Sequence, residues 1–188
     1  MGEKKLPDQR KREAAGEAYE WLQVFVIVAV AMVSVFTCLG RITPVDGQSM
    51  EPTLWHGDLM LVRDIGYHTP QAGDIVVLTK AFDAAVGPIV KRVVAVGGQQ
   101  VDIDYSAGLV YVDGQPLEEP YIKEAMLPPY YGGFTTVTVP EGSIFVMGDN
   151  RNHSNDSRDE TLGTVDVRYV LGKAEMVFFP FRHLKTFG

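Results

Sequence analysis

Cysteine is almost absent from this chain of 188 residues. The single cysteine, Cys38, lies within an apolar segment, so the chain can form neither an internal disulfide nor a cysteine-based metal site. Lipid attachment to Cys38 is disfavoured because the bulky Phe36 precedes it closely.

Positive charge is scarce beyond the N-terminal region. The chain carries a net charge of −7, and residues 40–188 hold twelve lysines and arginines against nineteen aspartates and glutamates. A surface of this sign repels phosphate backbones, so a nucleic-acid partner is not expected.

Charge of either sign is missing from residues 21–39. As a helix, this segment would span roughly 28 Å, close to the ~30 Å hydrocarbon layer of a bilayer. A cleaved signal peptide would have a shorter apolar core and a small-residue exit, and a buried core helix would be shorter with a polar face. The sequence therefore predicts a cytoplasmic tail at 1–20, an uncleaved transmembrane anchor at 21–39 and one extracytoplasmic domain at 40–188.

The orientation follows from the basic residues that flank the anchor. Five lysines and arginines precede it, whereas Arg41 is the only one in the stretch that directly follows. Positive residues stay on the cytoplasmic side, which places the N-terminus inside and residues 40–188 outside.

Long helical periods are also missing after residue 39, where short apolar runs alternate with Gly, Pro and Asp. This pattern predicts a mainly β domain with a folded-over, barrel-like, mostly antiparallel sheet. Residues 118–134 are irregular, and they are either a mobile insert beside a groove or an ordinary surface loop. The predicted strands are Leu59–Val62, Asp74–Leu78, Ile89–Val96, Gly108–Val112, Thr135–Val139, Ser143–Met147 and Val165–Leu171.

Ser49 is a candidate nucleophile because it lies in a turn between a glycine and a Met-Glu-Pro-Thr sequence. An ordinary turn serine has the same surroundings, and a serine hydroxyl needs a base to become reactive. Of the four histidines, His153 in a polar loop is the best candidate base, which keeps a Ser–His–Asp triad open.

Lys91 is the alternative base. It interrupts an apolar strand, and alternation places it on one face with Ile89, Val93 and Ala95. The stem could carry the charged amine to solvent. Alternatively, burial could lower the pKa from about 10.4 by several units and make the amine a usable base.

A polar loop at residues 147–158 follows a predicted strand. Asp156 and Arg158 could pair to brace it, and either Ser154 or Ser157 could hydrogen-bond a lysine amine. Calcium is the competing interpretation, but the run lacks the twelve-residue ligand spacing and its terminal glutamate. No metal site is predicted.

Three segments in this order after one anchor resemble the sequence boxes of bacterial type I signal peptidases. They are GQSMEPTL at 47–54, KRVVA at 91–95 and GDNRNHSNDSR at 148–158. The resemblance implies that Ser49 is the nucleophile, with its backbone N–H in the oxyanion hole, and that Lys91 is the neutral general base. It further implies that Ser154 orients the lysine amine and that Asp156 and Arg158 brace the loop.

The same resemblance implies a protease of the bacterial cell membrane that removes signal peptides from exported preproteins after an Ala-x-Ala type sequence. The signal peptides, the lipid bilayer and the protein-export machinery are its implied partners, and no metal or organic cofactor is needed. Some relatives carry a serine as a second oxyanion donor where this chain has Gly47, so that donor stays open.

Two rival functions remain. One is a self-cleaving repressor-type Ser/Lys protease, but those proteins are soluble and carry a DNA-binding module for which the chain has no room. The other is a membrane-tethered binding or assembly protein in which Ser49 and Lys91 are structural.

Overall fold

The computed structural model describes residues 7–79, 87–128 and 133–187. The chain divides into two compact units, residues 1–39 and residues 40–188. The first unit is the helix α1 (Pro7–Leu39). Its Gly16–Ser34 stretch is long and apolar enough to cross a membrane, judged by length and composition.

In its described residues, the second unit contains twelve strands and three short 3₁₀ turns. Every strand pair is antiparallel. The predicted mainly β, folded-over antiparallel fold is therefore confirmed. The strands are β1 (Arg41–Pro44), β2 (Leu59–Arg63), β3 (Ile75–Leu78), β4 (Ile89–Val96), β5 (Gln100–Asp104), β6 (Leu109–Val112), β7 (Gln115–Pro116), β8 (Thr136–Thr138), β9 (Ser143–Met147), β10 (Val165–Asp166), β11 (Val170–Phe179) and β12 (Lys185–Thr186).

The strands form two sheets. The larger runs in the order β1-β2-β11-β3-β4-β9-β10, with β12 added beside β11, and the smaller runs β7-β6-β5-β8. The strand β4 lies between β3 and β9 in the larger sheet, so each of its side chains has a neighbouring strand on either side.

One predicted strand was wrong in its extent. Val165–Leu171 divides into β10, a 3₁₀ turn at Val167–Tyr169 and the start of β11. The Asp166 side chain accepts a hydrogen bond from the Arg168 N–H at 2.8 Å, which caps the turn and breaks the extended run.

Three clusters of buried apolar side chains make up the core. The first contains Val45, Met50 and Leu54, which belong to the loop between β1 and β2, packed against strand residues. The loop that carries Ser49 is thus anchored in the core on both sides of the serine.

Candidate active site

Ser49 lies in the nucleophile loop, residues 45–58, between β1 and β2. The Val45 N–H donates to the Asp58 carbonyl at 2.8 Å and closes the loop at its base. Met50 and Leu54 are 2 % and 0 % exposed. Because Met50 is buried next to it, Ser49 is held at the surface of the core and is itself only half-buried.

The backbone around Ser49 presents a free donor. Among the described residues, nothing accepts a hydrogen bond from the Ser49 N–H. Gly47 has a φ of +93°, which a residue with a Cβ rarely adopts, and its N–H donates to His56 Nδ1 at 3.3 Å. The Gly47 N–H therefore faces His56, whereas the Ser49 N–H has no acceptor among the described residues.

Lys91 meets Ser49 directly. It lies in β4 and is 4 % exposed, and its Nζ donates to Ser49 Oγ at 2.8 Å and to the Val90 carbonyl at 3.0 Å. The alternative in which the stem carries the amine out to solvent is therefore wrong. The two groups singled out from the sequence form a hydrogen-bonded pair.

Burial lowers the pKa of Lys91 from 10.5 to about 8. The carboxylates of Asp156 and Asp149 oppose this effect, whereas the guanidinium of Arg158 adds to it. Burial outweighs the charges because the amine has lost its hydration and gains no ion pair among the described residues.

The predicted face of β4 is interrupted after Lys91. A β-bulge lies between Val93 and Ala95, and Val93 packs in a different core cluster from Ala95. Ile89 and Val93 pack in the same core cluster, as the predicted face of β4 requires, whereas Ala95 belongs to another cluster.

Arg92, the neighbour of Lys91, forms a buried ion pair. Its Nε and one Nη donate to the two carboxylate oxygens of Asp149 at 2.8 and 2.7 Å, and its guanidinium lies 3.9 Å from the ring centre of Tyr121. Asp149 is fully buried, so this pair fixes the start of the polar loop against β4.

Asp156 and Arg158 lie together within the loop at 148–158. Asp156 accepts from Arg158 Nε at 2.8 Å and from the Gly148 N–H at 2.9 Å, and Arg158 also donates to the Arg151 carbonyl at 2.6 Å. Burial alone would raise the pKa of Asp156, but the Arg158 guanidinium and these hydrogen bonds hold it below its usual value. The pair therefore ties the end of the loop to its start at Gly148 and to its middle at Arg151.

The two loop serines have different surroundings. Ser157 Oγ accepts from the Val146 N–H at 3.0 Å and so belongs to the end of β9. Ser154 Oγ is buried and makes no hydrogen bond of full geometry among the described residues, although it lies close enough to the Asp156 carboxylate to help lower the pKa of that group. No hydrogen bond joins it to Lys91. A Cβ added at Gly148 would collide with both Ser154 Oγ and the Ser49 carbonyl, so both atoms lie against Gly148.

Asn150 is a site residue to which the sequence assigned no role. Its backbone N–H donates to the Ser49 carbonyl at 3.0 Å, and its Nδ2 donates to the Gln48 carbonyl at 3.0 Å. Asn150 thus grips the nucleophile loop from the polar loop. The run of short polar residues was the only signal, and it did not distinguish this asparagine from its neighbours.

The irregular segment 119–127 is held against the polar loop. Asn152 Oδ1 accepts from the Leu127 N–H at 2.8 Å, and Lys123 Nζ pairs with the buried Glu51 at 2.8 Å. The buried side chains of Arg151 and Glu119 also pair. The sequence left open whether residues 118–134 are a mobile insert or an ordinary surface loop. In the described part of this segment, these contacts support neither interpretation, and residues 129–132 lie outside the described residues.

Histidine and metal chemistry have no support at this site. His153 is exposed, and no histidine in the described ranges hydrogen-bonds Ser49 Oγ. The same residues contain no group of three metal-ligating side chains.

Comparison with known proteins shows the family to which the chain belongs. The family model described as "Signal peptidase, peptidase S26" matches residues 18–179. The chain is 40% identical over 168 residues to a probable signal peptidase I-1 of Synechocystis, covering 85% of this chain and 80% of the relative. It is 32% identical to signal peptidase I of Bacillus licheniformis, covering 96% and 98%. A crystal structure of a signal peptidase I from Enterococcus faecalis aligns with a TM-score of 0.45 at 29% identity, over 56% of this chain and 96% of that one.

Proposed function

The chain belongs to the signal peptidase I family, peptidase S26, and is a serine endopeptidase; on that premise we propose that Ser49 and Lys91 are its catalytic dyad. Ser49 is the nucleophile and Lys91 the general base. The single observation that carries the proposal is the 2.8 Å separation of Ser49 Oγ and Lys91 Nζ, with the amine buried.

The lowered pKa makes the amine usable near neutrality. With a pKa of about 8, roughly a fifth of the Lys91 amines are neutral at pH 7.4, against roughly one in a thousand at the ordinary value. A neutral Nζ has a lone pair and accepts the Ser49 hydroxyl proton at the same separation. Burial therefore supplies the base that a histidine supplies in a triad.

The reaction then proceeds through an acyl-enzyme. Ser49 Oγ attacks the scissile carbonyl, its proton passes to Lys91, and the Ser49 N–H donates to the developing oxyanion. Lys91 returns the proton to the leaving amine, and water activated by the same lysine releases the acyl group.

Ser154 orients the lysine amine during this cycle. Once Ser49 Oγ carries the acyl group it becomes an ester oxygen, a poorer acceptor for the amine. The buried Ser154 hydroxyl lies against the same glycine as the Ser49 carbonyl, and its polar neighbour in the described chain is the Asp156 carboxylate, with which it makes no hydrogen bond of full geometry. Asp156 and Arg158 brace the loop that carries it.

The substrate is the C-terminal end of a signal peptide on an exported preprotein. The strand β1 ends the order of the larger sheet, so one of its edges pairs with no strand in the described part of the chain, and it leads directly into the nucleophile loop. An extended peptide added at such an edge gains main-chain hydrogen bonds. Small side chains are accepted at the first and third positions before the cut, which gives the Ala-x-Ala preference.

The membrane positions enzyme and substrate together. Residues 1–20 form the cytoplasmic tail, 21–39 the transmembrane anchor and 40–188 the extracytoplasmic catalytic domain. The apolar stretch of α1 and the excess of basic residues before it support this arrangement. The anchor holds the domain where preproteins leave the bilayer, beside the export machinery.

Processing of a precursor by the purified full-length chain tests the proposal. A preprotein with an Ala-x-Ala end should be cut by the wild type and by His153→Ala, an exposed control. Ser49→Ala and Lys91→Ala should leave it intact. Normal turnover by either dyad variant would exclude the mechanism, and no cleavage by the wild type would favour a tethered binding protein.

A further inference from the structure

The C-terminal residues 180–187, the tail hairpin, fold back on the sheet. After β11 ends at Phe179, a 3₁₀ turn at Phe181–His183 leads into β12, in which Thr186 pairs with Met176 of β11. These residues lie beyond the segment 18–179 that the family model matches. Their role is therefore a question about this chain.

Strand register brings the tail hairpin next to the nucleophile loop. Phe179 lies opposite Leu59, the first residue of β2, and Leu59 lies opposite Pro44, the last residue of β1. Pro44 and Leu59 flank the nucleophile loop on its two sides. The tail hairpin thus starts where the loop leaves and re-enters the sheet.

His183 makes the polar contact between the two. Its Nδ1 lies 2.6 Å from Asp58 Oδ1, and Asp58 is 1 % exposed. Because a carboxylate only accepts, Nδ1 carries the proton. The other oxygen of Asp58 accepts from the Trp55 N–H at 2.8 Å, and its carbonyl accepts from the Val45 N–H at 2.8 Å. Asp58 joins both ends of the loop to the tail hairpin.

Apolar contacts strengthen the same junction. The ring centres of His183 and Trp55 are 6.2 Å apart. Phe187 packs against the core cluster that contains Met50 and Leu54 of the nucleophile loop, and its N–H donates to the Glu175 carbonyl at 2.8 Å. The tail hairpin therefore touches the nucleophile loop at its polar base, and it packs against the core cluster to which the loop also contributes.

We propose that the tail hairpin is a clasp that positions Ser49, with His183 as its positioning residue; this inference rests on the proposed role of Ser49 as nucleophile. The loop is gripped by Asn150 near Ser49 and by Asp58 at its base. Removing the His183 donor leaves one oxygen of the buried Asp58 carboxylate without its partner, so the base of the loop shifts to find water. A shift of the nucleophile by about 1 Å costs up to roughly 100-fold in rate.

Three variants of the full-length chain test the clasp. His183→Phe keeps a ring beside Trp55 but removes the donor, and His183→Asn restores a donor near the position of Nδ1. Arg182→Gln changes an exposed residue of the same turn and serves as the control. We measure kcat and KM on a preprotein, the rate of Ser49 phosphonylation by a small fluorophosphonate that needs no peptide-binding edge, and the unfolding temperature. In the phosphonylation, Ser49 Oγ bonds to phosphorus and fluoride leaves.

We expect His183→Phe to lower kcat and the phosphonylation rate at least about tenfold with KM little changed, because the nucleophile is displaced and the substrate edge is not. His183→Asn should recover most of the loss, and Arg182→Gln should match the wild type. If His183→Phe does not fold, the comparison of His183→Asn with the wild type decides, since a clasp predicts a phosphonylation rate of His183→Asn within about threefold of the wild-type rate.

Other outcomes overturn the inference. Wild-type kcat in His183→Phe would show that the contact only stabilises the fold. A loss of kcat that His183→Asn shares equally would show that the hydrogen bond to Asp58 does not position Ser49. In either case an inactive Ser49→Ala would leave the proposed function standing. Activity in Ser49→Ala would instead overturn the proposed function itself, and the clasp with it.

Discussion

Replacing Lys91 by methionine tests whether burial sets the basicity of the amine. Methionine keeps most of the side-chain volume and removes the titrating group. The pKa of Lys91 falls from 10.5 to about 8 because the residue is 4 % exposed. This difference corresponds to about 3 kcal/mol, which the folded state loses whenever the amine is charged.

The pH range of the effect follows from the two pKa values. The unfolded chain keeps the proton up to about pH 10.5, whereas the folded chain releases it above about pH 8. Between these values the unfolded state binds more protons, so the free energy of unfolding rises with pH; below pH 8 the full cost is present. Lys91→Met lacks this contribution. The wild type should therefore gain about 2 to 3 kcal/mol relative to the variant between pH 7 and pH 10.

Denaturant unfolding at several pH values measures this difference. A Trp21→Phe background leaves Trp55, in the nucleophile loop, as the single fluorescent tryptophan. Other groups titrate alike in both proteins and cancel, among them Tyr121, for which burial raises the pKa to about 12. Parallel curves for wild type and Lys91→Met from pH 7 to pH 10 would refute the buried amine. A relative loss by the wild type would mean that the nearby carboxylates outweigh burial.

Two further substitutions probe the surroundings of the dyad. Arg92→Lys should lower the free energy of unfolding by about 3 kcal/mol, because a lysine cannot make both hydrogen bonds to the fully buried Asp149; an unchanged denaturation midpoint would contradict this. Ser154→Ala should lower kcat about tenfold, because the acyl-enzyme loses the hydrogen bond proposed to form between Ser154 and the Lys91 amine; wild-type kcat would exclude the orienting role.

Local sequence carried much of the information on the dyad. The glycine before Ser49 and the Met-Glu-Pro-Thr run after it predict a turn, and the structure has a turn there; the burial of Met50 beneath it and the half-buried state of Ser49 were not predicted. Alternation along β4 placed Lys91 on an apolar face, but it could not decide between a buried amine and one carried to solvent. That choice depends on the nucleophile loop, which is distant in sequence and covers the amine.

Other features depend on contacts that no local pattern specifies. The bulge after Val93 shifts Ala95 to another core cluster, and its position depends on the partner strand β9. In the polar loop, Asn150 and Ser157 differ from their neighbours only by which backbone groups they meet. The strand β5 was missed although buried Val101 and Ile103 alternate with Asp102 and Asp104, because the acidic residues resemble a turn in composition.

The pH dependence of kcat/KM on a preprotein tests the dyad most directly. Because the free enzyme must hold a neutral Lys91 with a pKa of about 8, we expect kcat/KM to rise about tenfold per pH unit below pH 8 and to level off above it. A plateau that already begins near pH 6.5, as for a histidine base, would contradict the assignment of Lys91 as the group that takes the Ser49 proton.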